Sequence, residues 1–387
     1  MAQLRTEVAI VGGGLMGTWT AYFLRRRGLS VVLIEKGEIG AQASGVNFGN
    51  LRLQGRHPGQ IPLALRSDAE WDRIGEHLGE PCEFERCGHL YIAFDEAQMT
   101  KLEQVAKDMA SHGASVELLG AAELYARWPW LGAGIFGASW SARDATANPR
   151  LVTPAVARAA RRLGAEILPR TRVTAFAKGG KRFRLATDRD LEIESDVLVN
   201  TAGAWGSQVA AAFGEAAPVF AAGPPQFVTE PLPYFIIPNL GVVGGDVYLR
   251  QIRRGNVIFG GGRGHSDPDV PSSRPSPEAS YAAMAKALQL VPQLAGTQVI
   301  RSWTGIDGET PDHIPVIGPS RTTPGLFHAF GFSGHGFQLG PAIGAIMSEL
   351  VLDGHTDVPL EPFRIDRFGE HRLFNQQGRT HEASHHA

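Results

Sequence analysis

The N-terminal segment up to Glu35 alternates between apolar runs and one stretch of helical period. Glu7 to Val11 is apolar and rich in β-branched side chains, which predicts a strand. Thr18 to Arg27 has the helical period and ends at Gly28, and Ser30 to Ile34 forms a second apolar run. The order strand, helix, strand predicts a βαβ unit.

The pattern changes further along the chain. Ile61 to Leu78 and Pro149 to Leu163 repeat apolar residues at helical spacing and predict helices. Phe220 to Gly262 has Pro and Gly between its apolar runs, which is typical of a largely antiparallel sheet. Residues 326–352 then return to the order of strand, Gly-rich turn and helix.

These patterns predict an α/β fold with two discontinuous domains and a tail. The first is a Rossmann-like domain, and the second is a substrate domain on a mixed, mostly antiparallel sheet. The first comprises residues 1–80, 141–215 and 301–370, and the second comprises residues 81–140 and 216–300. Residues 371–387 are polar and His-rich, which indicates a frayed tail rather than a metal site.

Charge and hydropathy exclude several classes of protein. The 387 residues include 37 Lys and Arg against 39 Asp and Glu, so the basic footprint of a nucleic-acid-binding protein is absent. No apolar run reaches the ~20 residues of a membrane span, and Met1 to Glu7 lacks the apolar stretch of a signal peptide. We expect a cytoplasmic protein and leave peripheral contact with the inner membrane open.

The cysteine content restricts the redox chemistry. Cys82 and Cys87 are too few for a disulfide framework, a structural zinc site or a cysteine-ligated cluster. We expect no metal, so any redox reaction would need a bound organic cofactor.

A glycine motif indicates which kind of cofactor this is. Gly12, Gly14 and Gly17 form G-x-G-x-x-G between the predicted strand and helix, and Glu35 ends the second strand. The glycines permit a tight turn, the approach of a pyrophosphate and close helix packing, while Glu35 would accept from ribose hydroxyls and disfavour NADP. The motif predicts a dinucleotide site, and the alternative is a tight turn without a ligand.

Five segments, the first of which contains this motif, narrow the dinucleotide to FAD. They are Val8 to Glu35, Ala43 to Gly45, Asp196 to Trp205, Thr310 to Gly318 and Gly331 to Phe337. With these segments the sequence resembles the D-amino-acid-oxidase-like flavoprotein superfamily, which includes glycine and sarcosine oxidases, over essentially the whole chain. The sequence of residues 303–308 and 328–341 is most similar to that of the β subunits of opine oxidase and hydroxyproline dehydrogenase.

The resemblance also implies which parts of the chain contact FAD. Ala43 to Gly45 would lie near the pyrophosphate, Val173 would meet adenine through its backbone, and the loop Gly331 to Gly336 would lie under the isoalloxazine ring. N–H groups at the start of the helix near His335 would stabilise negative charge on the reduced flavin. An alternative for this loop is a plain hinge. The implied FAD-binding residues are Gly12, Gly14, Leu15, Met16, Gly17, Glu35, Lys36, Ser44, Gly45, Asn47, Val173, Ala202, Gly203, Trp205, Gly305, Gly331, Ser333, Gly334, His335, Gly336, Phe337 and Gln338.

The chain departs from the superfamily at two carboxylate-binding positions. Asp307 stands where glycine oxidase has an Arg, and Gln338 stands where sarcosine oxidase has a Lys. Asp307 and nearby Glu309 would instead form an acidic wall that pairs with a cationic part of the substrate. The residues expected at the reaction are Arg52, Tyr248, Arg250, Asp307 and His335.

Carboxylate binding must then come from other residues. The candidates are Arg52, Arg56, Tyr248 and Arg250, with His57 also placed at the pocket. Two alternatives remain open: Arg250 with Arg253 and Arg254 forms a solvated charge run in a hairpin, and His57 before Pro58 caps a helix.

Two absences bear on the flavin and its electron acceptor. Asn256 to Gly260 has no Lys where sarcosine oxidase has one that promotes reaction with oxygen, and no Cys follows Cys87 for covalent attachment. We expect noncovalent FAD in a dehydrogenase that oxidises the C–N bond of a secondary-amine or D-amino acid, of opine or hydroxyproline type. Hydride transfer to flavin N5 would give an imine that hydrolyses.

Two other functions stay open, and the partners follow from the choice among them. One is a true oxidase that makes hydrogen peroxide, and the other is a noncatalytic flavin-binding subunit of a larger complex. The expected partners are a small amino acid or opine and an electron-accepting subunit or quinone, in a hetero- or homo-oligomer.

Overall fold

The computed structural model describes residues 2–270 and 272–369, so the tail predicted at 371–387 lies outside the described residues. The helices are α1 Leu15–Arg26, α2 Ala43–Val46, α3 Ile61–Asp72, α4 Ile74–Leu78, α5 Glu96–Ser111, α6 Ala121–Arg127, α7 Pro149–Arg162, α8 Gly206–Ala211, α9 Pro277–Leu290 and α10 Gly336–Leu352. The strands are β1 Ala2–Val11, β2 Val31–Ile34, β3 Asn50–Leu51, β4 His89–Ala93, β5 Glu117–Gly120, β6 Gly137–Ser141, β7 Ala145–Thr146, β8 Glu166–Leu168, β9 Val173–Gly179, β10 Arg182–Thr187, β11 Leu191–Asn200, β12 Phe220–Ala222, β13 Gln226–Pro231, β14 Asn239–Val242, β15 Tyr248–Gln251, β16 Asn256–Gly260, β17 His265–Asp267, β18 Ser272–Arg274, β19 Val299–Trp303, β20 Asp307–Glu309, β21 Val316–Pro319 and β22 Leu326–Phe330.

The N-terminal βαβ unit lies in a sheet with a parallel centre. The strand order is β21-β22-β11-β1-β2-β8, in which only β21 runs antiparallel to its neighbour along this path. Val8 pairs with Val31 on one side and with Val197 on the other, so β1 is a central strand. The strands β9 and β10 form an antiparallel meander on the first half of β11.

Alternate side chains of β1 lie on the two opposite faces of this sheet. Val8 and Ile10 belong to the apolar cluster formed with helices α1, α3, α7 and α10, whereas Ala9 packs with Phe183 on the opposite face. Small residues let α1 and α10 approach closely, because a β-carbon at Gly344 would lie 2.5 Å from the backbone carbonyl carbon of Trp19. This contact fixes the relative position of two helices whose N-termini both border the candidate site.

The second large sheet is mixed and mostly antiparallel. Its order is β19-β13-β16-β15-β14-β4-β6-β5, with β14 and β4 as the parallel pair. Phe227, Leu249 and Phe259 form its core with residues of α6 and α9. Together the two sheets confirm the predicted α/β fold class. Among the described residues, no helix is both long and apolar enough to cross a membrane.

Local boundaries differ from the predictions in two places. The first helix begins at Leu15, directly after Gly14, rather than at Thr18. The helix predicted from Ile61 to Leu78 is divided into α3 and α4, because Arg73 leaves the helical conformation at φ −100° and ψ 14°.

Strands of the parallel-centred sheet come from residues 2–34, 166–200 and 316–330, and those of the mixed sheet come from 89–141 and 226–303. The exact domain boundaries stay a prediction.

Candidate active site

A cavity of about 620 Å³ begins at the carboxyl ends of β1, β2 and β11 and extends to the mixed sheet. Ligands of open α/β sheets bind at this edge, where loops follow the strands. The predicted residues that line the cavity are Gly12, Gly14, Leu15, Met16, Glu35, Lys36, Ser44, Asn47, Arg52, Arg56, Val173, Ala202, Gly203, Trp205, Tyr248, Gly305, Asp307, Glu309, Gly331, Ser333, Gly334, His335, Gly336, Phe337 and Gln338. Gly17, Gly45, His57 and Arg250 are not part of its lining.

The glycine motif forms a tight turn with no room for side chains. Gly12 has φ +112°, and a β-carbon there would lie 2.3 Å from the carbonyl oxygen of Thr201. A β-carbon at Gly17 would lie 2.0 Å from the Gly12 carbonyl oxygen, so Gly17 acts in packing rather than at the cavity wall. Gly14 precedes α1 and makes no side-chain cap, so the helix N-terminus faces the cavity with its positive end.

The carboxylate of Glu35 binds backbone N–H groups of the glycine-rich turn and of the segment that follows β2. Its Oε2 accepts from the Gly13 N–H at 2.7 Å, and its Oε1 accepts from the Gly37 N–H at 2.7 Å. Each carboxylate oxygen keeps a further lone pair for a ribose hydroxyl. Lys36 lies next to it with Nζ 3.0 Å from the centre of the Trp205 ring, and burial lowers the pKa of Lys36 to about 8.

The segment that follows β2 is attached to the first turn of α1. Ser44 Oγ accepts from the Leu15 N–H at 2.9 Å. Asn47 Nδ2 donates to the carbonyl oxygen of Ser44 at 2.8 Å, and its Oδ1 accepts from the Gly49 N–H at 2.8 Å. Gly45 acts in packing, since a β-carbon there would lie 2.3 Å from the Gly40 carbonyl oxygen.

The loop Gly331 to Gly336 is fixed by groups from two other segments. Asp307 Oδ2 accepts from the Gly334 N–H at 2.6 Å, and its Oδ1 accepts from the Gly308 N–H at 2.9 Å. On the other side, Arg56 Nη1 donates to the His335 carbonyl oxygen at 3.1 Å. His335 precedes α10 without a side-chain cap, so the N-terminal N–H groups of a second helix border the cavity.

The electrostatics of this end of the cavity differ from the simple acidic wall that we predicted. Burial, together with the nearby charge of Glu309, raises the pKa of Asp307 to about 6, although the N–H groups of Gly334 and Gly308 favour its ionised form. Glu309 forms an ion pair with Arg263 at 2.6 Å, which offsets its charge. His335 Nδ1 has no partner among the described residues, and burial lowers the pKa of His335 well below its usual value. Gln338 Nε2 donates to the Ala64 carbonyl oxygen at 3.1 Å, so its amide is engaged by α3.

Arg52 and Tyr248 face the cavity, whereas Arg250 and His57 do not. The guanidinium of Arg52 lies 5.2 Å from the Tyr91 ring centre, and Tyr248 Oη accepts from Gln226 Nε2 at 2.5 Å. Arg250 is buried with its guanidinium 5.4 Å from the Phe48 ring, off the cavity lining, so its position supports neither substrate contact nor the solvated charge run. His57 is exposed and caps a short helix, since its Nδ1 accepts from the Gly59 N–H at 3.2 Å.

Sequence reasoning missed several residues of the cavity wall. His89 and Tyr91 are the most informative, because they alternate along β4 with Leu90 and Ile92, which face the core. That alternation of polar and apolar residues was the available signal. Other missed residues include Phe48, Arg172, Gln226, Gly241 and Arg263, which tertiary structure brings to the cavity without a motif of their own.

Asp144 is a buried acid next to this wall. Its Oδ1 accepts from the Leu53 N–H at 3.0 Å and from the Ser141 hydroxyl at 2.8 Å. Its Oδ2 has no hydrogen-bond partner among the described residues and lies 3.9 Å from His89 Nδ1. Burial raises the pKa of Asp144 to about 7, although these hydrogen bonds and the nearby arginines favour the ionised form.

The fold and the cavity define a dinucleotide-binding oxidoreductase with an elongated site between two sheets. A family model described as FAD dependent oxidoreductase matches residues 7–350. The chain belongs to this family, and its cofactor is FAD. The start of α1 at the cavity, the crowded glycines and the acceptor Glu35 fit the dinucleotide part of FAD.

Three similar proteins illustrate the range of this family. Glycine oxidase from Pseudomonas aeruginosa is 29% identical over 89% of this chain and 94% of its own length. The sarcosine oxidase subunit beta of Rhizobium meliloti is 28% identical, with 96% of this chain and 90% of that protein covered. The crystal structure of L-proline dehydrogenase from P. horikoshii superposes with a TM-score of 0.88 at 27% identity, covering 95% of this chain and 98% of that one.

The first prediction concerns Glu35. Replacing Glu35 with Ala removes the acceptor of two loop N–H groups and of the ribose hydroxyls, so we expect FAD affinity to fall by about 10- to 150-fold. This range corresponds to the roughly 1.5 to 3 kcal/mol of charge-assisted hydrogen bonds. Fluorescence titration of the apoprotein with FAD measures the change, and Glu166→Ala, an exposed acid on β8, is the control. Unchanged affinity would show that Glu35 does not contact the cofactor.

The second prediction concerns the pH dependence of stability. Folded Asp144 stays protonated up to about pH 7, whereas the unfolded carboxyl ionises near pH 4. The proton that the folded state binds more tightly stabilises the protein fully below pH 4. This contribution of up to ~4 kcal/mol to the free energy of unfolding is lost as the pH rises from 4 through 7. We expect Asp144→Asn to flatten the decline in the free energy of unfolding between pH 4 and 7, measured by urea denaturation of the holoprotein.

The exposed Asp246 provides the matched control for this experiment. Asp246→Asn should leave the pH profile unchanged. If Asp144→Asn keeps the full decline of the unmodified protein, another group is responsible for it.

Proposed function

We propose that this FAD-dependent oxidoreductase oxidises the C–N bond of a carboxylate-bearing secondary-amine or D-amino acid to an imine that water hydrolyses. The observation that carries the proposal is Arg52. Its guanidinium faces the cavity over Tyr91, and among the described residues it has no ion pair or side-chain hydrogen bond.

Among the other cations of the cavity wall, Arg263, Lys36 and Arg56 have partners of their own, and Arg172 directly precedes β9 in the parallel-centred sheet. Arg263 is paired with Glu309, and Lys36 lies over Trp205 beside Glu35. Arg56 is buried, and its guanidinium donates to the carbonyl oxygens of Arg52 and His335. These two bonds place the Arg52 segment directly beside the loop, so a substrate carboxylate held by Arg52 would lie at that end of the cavity.

Bound FAD supplies the acceptor of the hydride that leaves the substrate carbon. The residues of this chain orient the substrate and control its charge. Arg52 would bind the carboxylate through its planar pair of N–H donors. Buried His335 is uncharged at neutral pH, so it adds no charge beside the substrate amine. Asp307, with a pKa raised to about 6, is mainly ionised at neutral pH and would attract an amine-bearing group. No protein nucleophile is required.

The substrate class is supported by the relatives. Glycine oxidase, sarcosine oxidase and L-proline dehydrogenase are named for small amino acids, and sarcosine and proline are secondary amines. We infer a substrate of the same class, of opine or hydroxyproline type, in which Asp307 contacts an amine-bearing group. One relative is named as a subunit, which supports an electron-accepting partner chain as an alternative to a quinone.

The third prediction tests the carboxylate anchor. We expect Arg52→Gln to lower kcat/KM by about 10- to 150-fold for every amino-acid substrate, the roughly 1.5 to 3 kcal/mol of a charge-assisted contact. The substrates are first found by anaerobic bleaching of the flavin absorbance. Arg253→Gln, which affects an exposed arginine paired with Glu85, should leave kcat/KM unchanged. Equal kcat/KM in Arg52→Gln and the unmodified protein would remove Arg52 from the site.

The fourth prediction separates a dehydrogenase from an oxidase. Asn256–Gly260, the strand β16, carries no Lys that would promote reaction with oxygen. We expect the reduced enzyme to reoxidise faster with a quinone or a dye than with oxygen, in stopped-flow measurements at equal acceptor concentration. A faster reaction with oxygen would indicate an oxidase, and lack of reduction by any amino acid would indicate a noncatalytic flavin subunit.

The same preparation tests how the flavin is held. Neither Cys82 nor Cys87 lines the cavity, and both are free thiols. We propose noncovalent FAD, which should be released into solution when the protein is denatured and precipitated. Flavin that stays with the precipitate would contradict this.

A further inference from the structure

His89 is a buried donor in the cavity wall that the mechanism above does not use. The residue is 1% exposed, and it borders the cavity at the start of β4. Its Nε2 makes no hydrogen bond with any described residue, although its Nδ1 is engaged by a buried network. Unlike His335 Nδ1, Nε2 is not enclosed by protein atoms, so it opens on the cavity, where an acceptor of a ligand can reach it.

The network behind His89 determines which ring nitrogen carries the proton. Gln54 Nε2 lies 3.1 Å from His89 Nδ1 and donates to the His89 carbonyl oxygen at 3.0 Å, while Gln54 Oε1 accepts from the Ser139 hydroxyl. Because the amide nitrogen of Gln54 must face the carbonyl oxygen, Nδ1 is an acceptor. The proton therefore lies on Nε2. Burial and the nearby Arg52 lower the pKa of His89 well below its usual value, so the ring is a neutral donor.

His89 and Arg52 lie at opposite edges of the Tyr91 ring. A β-carbon at Gly241 would be 3.0 Å from His89 Nε2 and 3.6 Å from Tyr91 Cδ2. A β-carbon at Gly55 would be 2.5 Å from Arg52 Nη1 and 2.7 Å from Tyr91 Cε1 on the other edge. The ring thus separates the two donors, and the absence of a side chain at Gly241 keeps the space beside Nε2 open.

We propose that His89 is a specificity-determining residue whose Nε2–H binds a second oxygen acceptor of the substrate, apart from the carboxylate held by Arg52. This inference rests on the proposed function and names the substrate more closely. The substrate is an amino acid or secondary amine with a second carboxylate or a hydroxyl group. A substrate without that oxygen leaves a buried N–H unpaired, and such a site rejects it more strongly than a site without the donor would.

The test compares matched substrates that differ only in the second oxygen group. Iminodiacetate is sarcosine with a carboxylate in place of a methyl hydrogen, and 4-hydroxyproline is proline with a hydroxyl. For the unmodified holoenzyme we expect higher kcat/KM for the member with the extra oxygen in at least one pair. The pair that shows the preference distinguishes a carboxylate from a hydroxyl acceptor.

Variants assign the preference to His89. His89→Phe keeps a ring of similar volume without the donor, and we expect the preference to fall by about 5- to 50-fold. His89→Gln restores an N–H near Nε2 and should recover part of it. Gly241→Ala, which places a methyl group 3.0 Å from Nε2, should lower the preference without changing His89 and provides the test if His89→Phe does not fold. His355→Phe makes the same change at an exposed histidine off the cavity lining and should leave the preference unchanged.

The outcomes separate this inference from the proposed function. If the substrates reduce the flavin but show no preference, or if His89→Phe and Gly241→Ala keep the full preference, the role of His89 is overturned and C–N oxidation stands. If no amino acid or amine of the panel reduces the flavin, the proposed function fails and the role of His89 fails with it. FAD content and thermal unfolding of each variant exclude loss of folding as the cause.

Discussion

The candidate site depends on how the loop Gly331 to Gly336 is held. This loop has left-handed backbone at Gly331, Ser333 and Gly334 and would not keep one conformation unaided. Asp307 binds the Gly334 N–H from the β20 side, and the buried guanidinium of Arg56 joins the carbonyl oxygens of His335 and Arg52. One cation thus couples the loop before α10 to the segment that carries the proposed anchor. A change in the position of either segment is transmitted to the other.

The same arrangement explains which parts of the site could be predicted from the sequence. The turn at Gly12 and Gly17, and the acceptor Glu35, depend on residues within one βαβ unit, so their spacing predicts them. FAD required several separated motifs and the resemblance that they carry. The class of the main helices and strands was also readable, because their periodicity is local. The division of the second long helix at Arg73 was not readable, since it is a backbone deviation without a Pro or Gly at that residue.

The charges of the substrate end could not be predicted because they depend on pairs distant in sequence. Glu309 is neutralised by Arg263. The two carboxylate oxygens of Asp307 accept from the Gly334 N–H of the loop and from the Gly308 N–H. Arg250 shares a strand with Tyr248, yet it is packed on Phe48 away from the cavity. Residue type suggested an acidic wall and four candidate anchors. The contacts distinguish Arg52 among them as the cation that is both accessible and without an anionic partner.

This distribution divides affinity from discrimination within the proposed site. A cation such as Arg52 attracts any carboxylate, so it contributes equally to binding of glycine, sarcosine or a larger amino acid and cannot select among them. A neutral buried donor such as His89 contributes little to a substrate that reaches it, because that substrate gives up a hydrogen bond to water. It penalises one that leaves the N–H unpaired in a wall from which water is displaced. Selectivity in this cavity would then arise from the Nε2–H of His89, which a substrate without a second oxygen acceptor leaves without a hydrogen bond.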